Sequence, residues 1–244
     1  MELRGKTALV TGGGVRLGRA IALTLAQAGC NVAIHYNRSE SEAREVRDGA
    51  LKYGILAETF QFNLLDFEHV DQLFREVNQK LGKVDILINN AGNYKRGKGL
   101  ETSKQVLDDS FNLNLFAPFW LIKSFANQLP TDAIGKIISI CDAAIFGTGY
   151  DHFAYRLTKK GLCEMTKMFA LELAPRITVN AIAPGTMMPL AGFEDRDLKE
   201  KIARQIPLRR IGSPEIIAQN VLHILDQDFM TGSIIKVDGG EFAG

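Results

Sequence analysis

The stretch TGGGVRLG, residues 11–18, joins a short apolar run to a helical pattern. A dinucleotide phosphate binds at turns of this kind, because backbone N–H groups at the start of the helix face the anion. Gly12 lets the chain turn tightly after the strand, and Gly18 lets the helix pack close to the sheet. Arg16 and Leu17 stand inside the turn, and Arg16 takes a place where glycine is usual. The stretch predicts a nucleotide-binding turn, with an ordinary glycine-rich turn as the alternative.

The rest of the chain alternates apolar runs with helical patterns. Seven runs predict strands, at residues 7–10, 31–34, 56–62, 84–88, 136–140, 177–182 and 234–237. Helical patterns begin near Leu17, Ser41, Phe67, Ser103, His152 and Ser213. This order predicts an α/β fold, a doubly wound parallel sheet of the Rossmann type with helices on both faces. We expect residues 1–244 to form a single domain in which an irregular loop, about 185–212, covers the substrate.

Charges are nearly balanced, with 29 lysines and arginines against 28 aspartates and glutamates and a net charge of +1. We therefore expect a small-molecule substrate, with neither nucleic acid nor membrane as a partner. No segment has the apolar length of a signal peptide or a membrane span, which predicts a cytoplasmic protein. Cys30, Cys141 and Cys163 are widely spaced and odd in number. They predict reduced core thiols, and no spacing typical of a metal site is present.

The end of the second predicted strand favours one cofactor. His35, Tyr36 and Asn37 offer no carboxylate to bind the ribose 2′-hydroxyl of NAD. Arg38 can pair with two phosphate oxygens and Ser39 can donate a third bond, which suits the 2′-phosphate of NADPH. The alternative is that Arg38 is a solvated residue at the start of a helix.

Two residues one helical turn apart carry the candidate chemistry. Tyr155 and Lys159 fall on one face of the helix predicted after the fifth strand. We expect the Lys159 ammonium to lower the phenol pKa of Tyr155 and so prepare a general acid. This spacing is common on helix surfaces and is weak evidence by itself. Together with the glycine turn and the NNAG stretch at 89–92, it favours a catalytic pair.

Along almost its whole length the chain resembles the short-chain dehydrogenase/reductase family. The resemblance rests on the motifs above, on Asn114 before an Ala-Pro pair at 117–118, on Pro184 and Gly185, and on VDGG at 237–240. It implies a Rossmann-type fold, NAD(P)-dependent hydride transfer and frequent assembly into tetramers, so we expect a homotetramer.

The same resemblance implies roles for individual residues. It places the catalytic tyrosine, lysine and assisting asparagine of the family at Tyr155, Lys159 and Asn114. The predicted cofactor site comprises Gly12, Arg16, Leu17, Gly18, His35, Tyr36, Asn37, Arg38, Ser39, Asn63, Leu64, Asn90, Ala91, Gly92, Tyr155, Lys159, Pro184 and Gly185.

Two departures from the family pattern matter for the chemistry. A serine that polarises the substrate carbonyl usually lies 13 residues before the tyrosine, and here that position is Asp142. An ionised aspartate cannot donate a hydrogen bond and would repel an oxyanion, which disfavours simple ketone reduction. Asn63 replaces an aspartate that commonly contacts adenine, although its amide oxygen can still accept a bond.

Arg16, the sequence HYNRS and Asp142 together resemble a narrower group, the pteridine reductases and the related dihydromonapterin and dihydrofolate reductases. By this resemblance Arg16 lies between the cofactor phosphates and the substrate. Tyr94, just after NNAG, takes the place of an aromatic that stacks on the pterin, with a lone loop tyrosine as the alternative. Phe193 in the late loop is a weaker candidate for closing the site, and an exposed loop aromatic is favoured there.

These residues predict NADPH-dependent reduction of a dihydropterin or dihydrofolate to the tetrahydro form. The reaction needs a hydride on carbon and a proton on nitrogen. Asp142 could supply or relay that proton if its apolar neighbours raise its pKa, whereas the alternative is a surface aspartate that caps a loop. The predicted substrate site is Arg16, Tyr94, Asp142 and Tyr155. Two other functions stay open: a carbonyl reductase such as a 3-oxoacyl thioester reductase, and a non-catalytic nucleotide-sensing protein.

Overall fold

Seven parallel strands form one sheet in the computed structural model, which describes residues 1–188 and 196–243. The strands are β1 Thr7–Val10, β2 Asn31–Tyr36, β3 Ala57–Gln61, β4 Val84–Asn89, β5 Gly135–Ile140, β6 Ile177–Pro184 and β7 Ile234–Val237. Their order is β3-β2-β1-β4-β5-β6-β7, and every neighbouring pair is parallel. The chain winds outward in one direction from β1 and in the other from β4. The predicted doubly wound sheet is confirmed.

Helices cover both faces of this sheet. They are α1 Arg16–Gln27, α2 Glu40–Leu51, α3 Val70–Leu81, α4 Lys104–Phe111, α5 Ala117–Gln128, α6 Phe153–Leu173, α7 Arg196–Gln205 and α8 Pro214–Asp226. No helix within the described ranges is long and apolar enough to cross a lipid bilayer.

The stretch 185–212 differs from its prediction as an irregular loop, because α7 occupies 196–205. The sequence of this helix, RDLKEKIARQ, is mostly charged, and its apolar period consists of little more than Leu198 and Ile202, one turn apart, which is a weak signal in a short segment. Phe193 lies outside the described residues.

The two sides of the sheet bury separate apolar clusters, because successive strand residues point to opposite faces. On β1, Ala8 and Val10 pack into one cluster with α1, α2 and α8. Leu9 packs into the other with α3, α5 and α6. All three strand residues are fully buried. Since β1 is covered on both faces, only the carboxyl ends of the central strands are open to a ligand.

Hydrogen bonds join the loops at those carboxyl ends. The Thr11 hydroxyl accepts from the backbone N–H of Asn90 at 2.9 Å and of Ala91 at 3.0 Å. In return the Asn90 side chain donates to the Thr11 carbonyl at 2.8 Å. The turn after β1 and the loop after β4 therefore form one connected floor at the point where the winding direction reverses.

The glycine turn is held from the other side by a buried histidine. His35 Nδ1 accepts from the Gly12 N–H at 3.1 Å, and Nε2 donates to the Phe62 carbonyl at 3.0 Å. Burial lowers the pKa of His35 to about 4, so the ring is neutral at pH 7. His35 lies beside the predicted cofactor site, but both ring nitrogens bond within the protein, and its place there is to brace the turn.

This arrangement predicts a specific loss of stability in acid. An unfolded histidine takes up a proton below pH 6.5, whereas folded His35 does so only near pH 4. The stabilisation is complete above pH 6.5 and falls by about 3 kcal/mol as the pH drops towards 4. Urea unfolding between pH 7 and 4 should give a smaller pH slope for His35→Gln than for the wild type. His223→Gln, at an exposed histidine, should keep the wild-type slope, and equal slopes in all three proteins would contradict the assignment.

Candidate active site

A cavity of about 630 Å³ opens at the carboxyl ends of the strands. Most of the predicted cofactor and substrate residues line it, namely Gly12, Arg16, Leu17, Gly18, His35, Tyr36, Asn37, Arg38, Ser39, Asn63, Leu64, Asn90, Ala91, Gly92, Tyr94, Tyr155 and Lys159. Residues that the sequence analysis did not single out also line the cavity, among them Asn93, Lys95, Asp109 and Cys141. Asn93 and Cys141 adjoin recognised motifs, whereas Asp109 comes from α4 and carries no local signal.

Two glycine-turn positions explain the local sequence. Gly18 has no room for a side chain, because a Cβ there would overlap the Gly12 carbonyl and crowd the Asn90 amide. Arg16 has φ of 52°, in the left-handed region that favours glycine. An arginine in this conformation costs about 1–2 kcal/mol relative to a relaxed backbone. The turn therefore needs a left-handed residue at 16, and this chain places a cation there despite the strain.

The Tyr155 hydroxyl donates a 2.6 Å hydrogen bond to Asp142 Oδ2. The other carboxylate oxygen accepts from the Ala144 N–H at 2.7 Å and caps the 3₁₀ turn Ala143–Phe146. Asp142 thus both caps the turn after β5 and contacts Tyr155. A carboxylate held by two donors is a fixed acceptor at the phenol.

The pKa of Tyr155 is shifted in the direction opposite to the prediction. Burial and the Asp142 carboxylate raise the pKa of Tyr155 well above its ordinary value. Lys159 Nζ donates to the Ile140 carbonyl at 2.8 Å and lies 5.8 Å from the centre of the Tyr155 ring. The expectation that Lys159 lowers the pKa of Tyr155 is therefore wrong for this arrangement, because the lysine bonds to the backbone and the carboxylate is nearer the phenol. Tyr155 keeps its proton and can donate it.

Asn114 lies in a π-helical segment, Asn112–Phe116, between α4 and α5. Such segments are rare and often occur at functional sites. Fully buried, Asn114 accepts from the Asn93 N–H at 2.8 Å and donates to the Asn93 carbonyl at 3.1 Å. A Cβ on Gly92 would lie 3.0 Å from its amide oxygen. Asn114 therefore holds the loop after β4 in place from the protein interior.

The remaining predicted cofactor residues differ in whether they are open to a ligand. Arg38 is exposed at the cavity mouth, and the Ser39 side chain makes no capping bond to α2, so it stays available to a ligand. Asn63 Oδ1 already accepts from the Leu65 N–H at 3.2 Å. Pro184 ends β6, and the following Gly185 N–H donates to Val237, so this pair belongs to the sheet margin and does not line the cavity.

Tyr94 packs directly against the catalytic candidate. Its ring meets Tyr155 edge-on, with centroids 4.7 Å apart, and stacks on His152 at 4.3 Å and 24°. About half of Tyr94 is exposed, and the residue lines the cavity. The sequence analysis did not single out His152 as a site residue, because it is separated from Tyr94 by 58 residues.

Replacing Asp142 by asparagine should lower the pKa of Tyr155, because the negative charge beside the phenol is lost while the side-chain size is kept. The measurement is alkaline titration of tyrosinate absorbance, with Tyr155→Phe in each background as the blank and circular dichroism to check folding. Asp132→Asn, at an exposed position, should leave the Tyr155 transition unchanged. A Tyr155 transition at the same pH with and without the Asp142 charge would refute the coupling.

Comparisons with known proteins agree with this architecture. A family model described as enoyl-(acyl carrier protein) reductase matches residues 14–241. The 3-oxoacyl-[acyl-carrier-protein] reductase FabG of Aquifex aeolicus is 35% identical, over 99% of this chain and 99% of the relative. The FolM alternative dihydrofolate reductase 1 from Brucella canis, complexed with NADP, superposes with a TM-score of 0.94 at 30% identity, covering 100% of this chain and 96% of its own.

A second FolM structure, from Brucella suis and also in complex with NADP, has a TM-score of 0.90 at 31% identity and covers 98% of this chain and 96% of its own. These likenesses extend over nearly the whole chain, and they agree with the seven-stranded sheet and the motifs at its carboxyl edge. The chain therefore belongs to the short-chain dehydrogenase/reductase family of oxidoreductases.

Proposed function

We propose that this chain is an NADPH-dependent reductase that converts a dihydropterin or dihydrofolate to the tetrahydro form. The observation that carries the proposal is the hydrogen bond from Tyr155 to Asp142. A carboxylate accepts hydrogen bonds and does not donate them, so it opposes the oxyanion that forms when a carbonyl is reduced. Reduction of a C=N bond develops basicity on nitrogen instead, and a proton donor beside a carboxylate suits it.

The cavity residues fit a bound dinucleotide. Gly18 leaves room for the close turn, the connected floor of Thr11 and Asn90 holds it, and Arg38 and Ser39 stand at the mouth. Bound NADPH supplies the hydride. Tyr155 lines the cavity and would donate its phenolic proton to a ring nitrogen, after which a proton from solvent would restore the phenol. Asp142 holds the Tyr155 hydroxyl, and buried Lys159 fixes the end of β5 through Ile140.

NADPH is favoured over NADH by the residues at the end of β2. Positions 35–37 carry no carboxylate, and the exposed Arg38 guanidinium can pair with the 2′-phosphate. The two FolM neighbours are complexes with NADP, which supports the same choice.

Arg38→Ala should weaken NADPH binding by about tenfold or more and leave NADH binding nearly unchanged, because only NADPH carries the extra phosphate. Isothermal titration of both cofactors measures the two Kd values. Arg44→Ala is the control on α2, the helix that follows Arg38, since Arg44 pairs with Glu40 at 2.6 Å and does not line the cavity. Parallel losses for NADPH and NADH in Arg38→Ala would exclude phosphate recognition by this residue.

The pterin assignment rests on Arg16 and Tyr94 as well as on Asp142. Arg16 lines the cavity that also contains Tyr155, and its guanidinium is a donor for both phosphate and a polar heterocycle. Tyr94 offers an aromatic surface beside the Tyr155 hydroxyl, on which a flat ring can stack. Reduction of a 3-oxoacyl thioester is the second candidate, because the curated relatives at 35% identity are FabG reductases.

A substrate panel with NADPH decides between the two candidates. We expect turnover of dihydrobiopterin, dihydromonapterin or dihydrofolate, and little turnover of acetoacetyl thioesters or simple ketones. Turnover of thioesters or ketones alone would make the pterin proposal wrong, and absence of any turnover would favour the nucleotide-sensing alternative.

Arg16→Gly should lower activity without lowering thermal stability. Glycine relieves the left-handed strain at this position, so the Tm should not fall. The kcat/KM for the pterin should fall by about tenfold or more, because a charged donor is lost. Thermal melts and steady-state kinetics on one preparation measure both effects, and wild-type kcat/KM would remove Arg16 from the substrate site.

A further inference from the structure

His152 holds a left-handed backbone position at the start of a helix. It precedes α6 with φ of 55° and ψ of 41°, and its side chain makes no capping bond. Asparagine would both tolerate this left-handed conformation and cap the helix. Histidine is also found in this conformation more often than most residues, but here its side chain caps nothing, and strained residues of this kind concentrate at functional sites.

One nitrogen of the half-buried His152 imidazole is shielded where its polarity is not used. In the described part of the chain Nε2 is shielded from solvent and has no hydrogen-bond partner. Burial, together with Arg96 and Arg156, lowers the pKa of His152, against the opposing charges of Asp142 and Asp151. The ring is therefore neutral at pH 7, and it stacks on Tyr94 with the ring centroids 4.3 Å apart.

Backbone bonds fix this stack at both ends. The Phe153 N–H donates to the Gly97 carbonyl at 3.0 Å, and the Arg156 N–H donates to the His152 carbonyl at 2.9 Å. The start of α6 is thus joined to the loop that carries Tyr94. Tyr155 makes a T-shaped contact with Tyr94, and His152 stacks on one face of the Tyr94 ring.

We propose that His152 is a positioning residue for the substrate: its imidazole holds the Tyr94 ring as a preformed wall on which a planar heterocycle stacks. Without this backing, Tyr94 would have to be ordered when the substrate binds, which weakens binding. The identity of the stacked ring rests on the proposed pterin function, whereas the positioning of Tyr94 does not.

Two substitutions at one position test the proposal. His152→Asn relaxes the backbone and removes the aromatic ring, and His152→Phe keeps an aromatic ring. His152→Asn should match or exceed the wild-type Tm, raise the KM for the dihydropterin about fivefold and leave kcat within about twofold. His152→Phe should restore the wild-type KM, and the NADPH Kd should be the same in all three proteins.

A spectroscopic readout decides the positioning without turnover. In protein labelled with 3-fluorotyrosine, the ¹⁹F resonance of Tyr94, assigned with Tyr94→Phe, should move in His152→Asn and stay near its wild-type position in His152→Phe.

The outcomes separate this proposal from the proposed function. A wild-type KM in His152→Asn, or a His152→Phe variant as impaired as His152→Asn, overturns the role of His152 in substrate binding. Failure of the wild type to reduce any dihydropterin overturns the proposed function alone. The ¹⁹F spectra then decide the inference, and an unmoved Tyr94 resonance in His152→Asn overturns it.

Discussion

The hydrogen bond between Tyr155 and Asp142 is the constraint on which the site depends. It ties α6 to the residue two positions beyond β5, and Lys159 makes a second tie to the Ile140 carbonyl. Because the carboxylate and burial both raise the pKa of the phenol, Tyr155 retains its proton. The same carboxylate caps the following turn, so structure and chemistry constrain Asp142 together. A serine at this position could cap the turn but would remove the negative charge.

At the predicted cofactor site, rigid hydrogen bonding is combined with backbone strain. A neutral buried histidine and the Thr11–Asn90 bonds hold the glycine turn rigidly, and this rigidity supports a left-handed arginine inside it. Backbone strain that the surrounding structure maintains is usually offset by a functional benefit. We attribute that benefit to a cation that reaches both the phosphates and the substrate. His152 is a second residue with left-handed backbone, and it stacks on Tyr94, which lines the cavity.

The sequence predicted the sheet well because its strands are short apolar runs separated by helices, and each strand lies within two residues of its predicted bounds. It also predicted Arg16, Asp142, Tyr155 and Lys159 as site residues from local motifs; three of these line the cavity and Asp142 bonds to Tyr155, while their roles stay predictions. It missed α7, a short and mostly charged helix whose helical period rests on few apolar residues. It also could not give the direction of the Tyr155 pKa or the contact with His152, because both depend on packing between distant segments. The homotetramer and the cytoplasmic location stay predictions.

The most direct test of the account is the selectivity of Asp142→Ser, expressed as the ratio of kcat/KM for a dihydropterin to kcat/KM for an acetoacetyl thioester. Serine can keep the capping role, and it replaces the charge beside Tyr155 with a hydroxyl that can donate to a carbonyl. The account predicts that this ratio falls by about tenfold or more from its wild-type value. An unchanged ratio in a folded variant would contradict the claim that the carboxylate selects the pterin reaction.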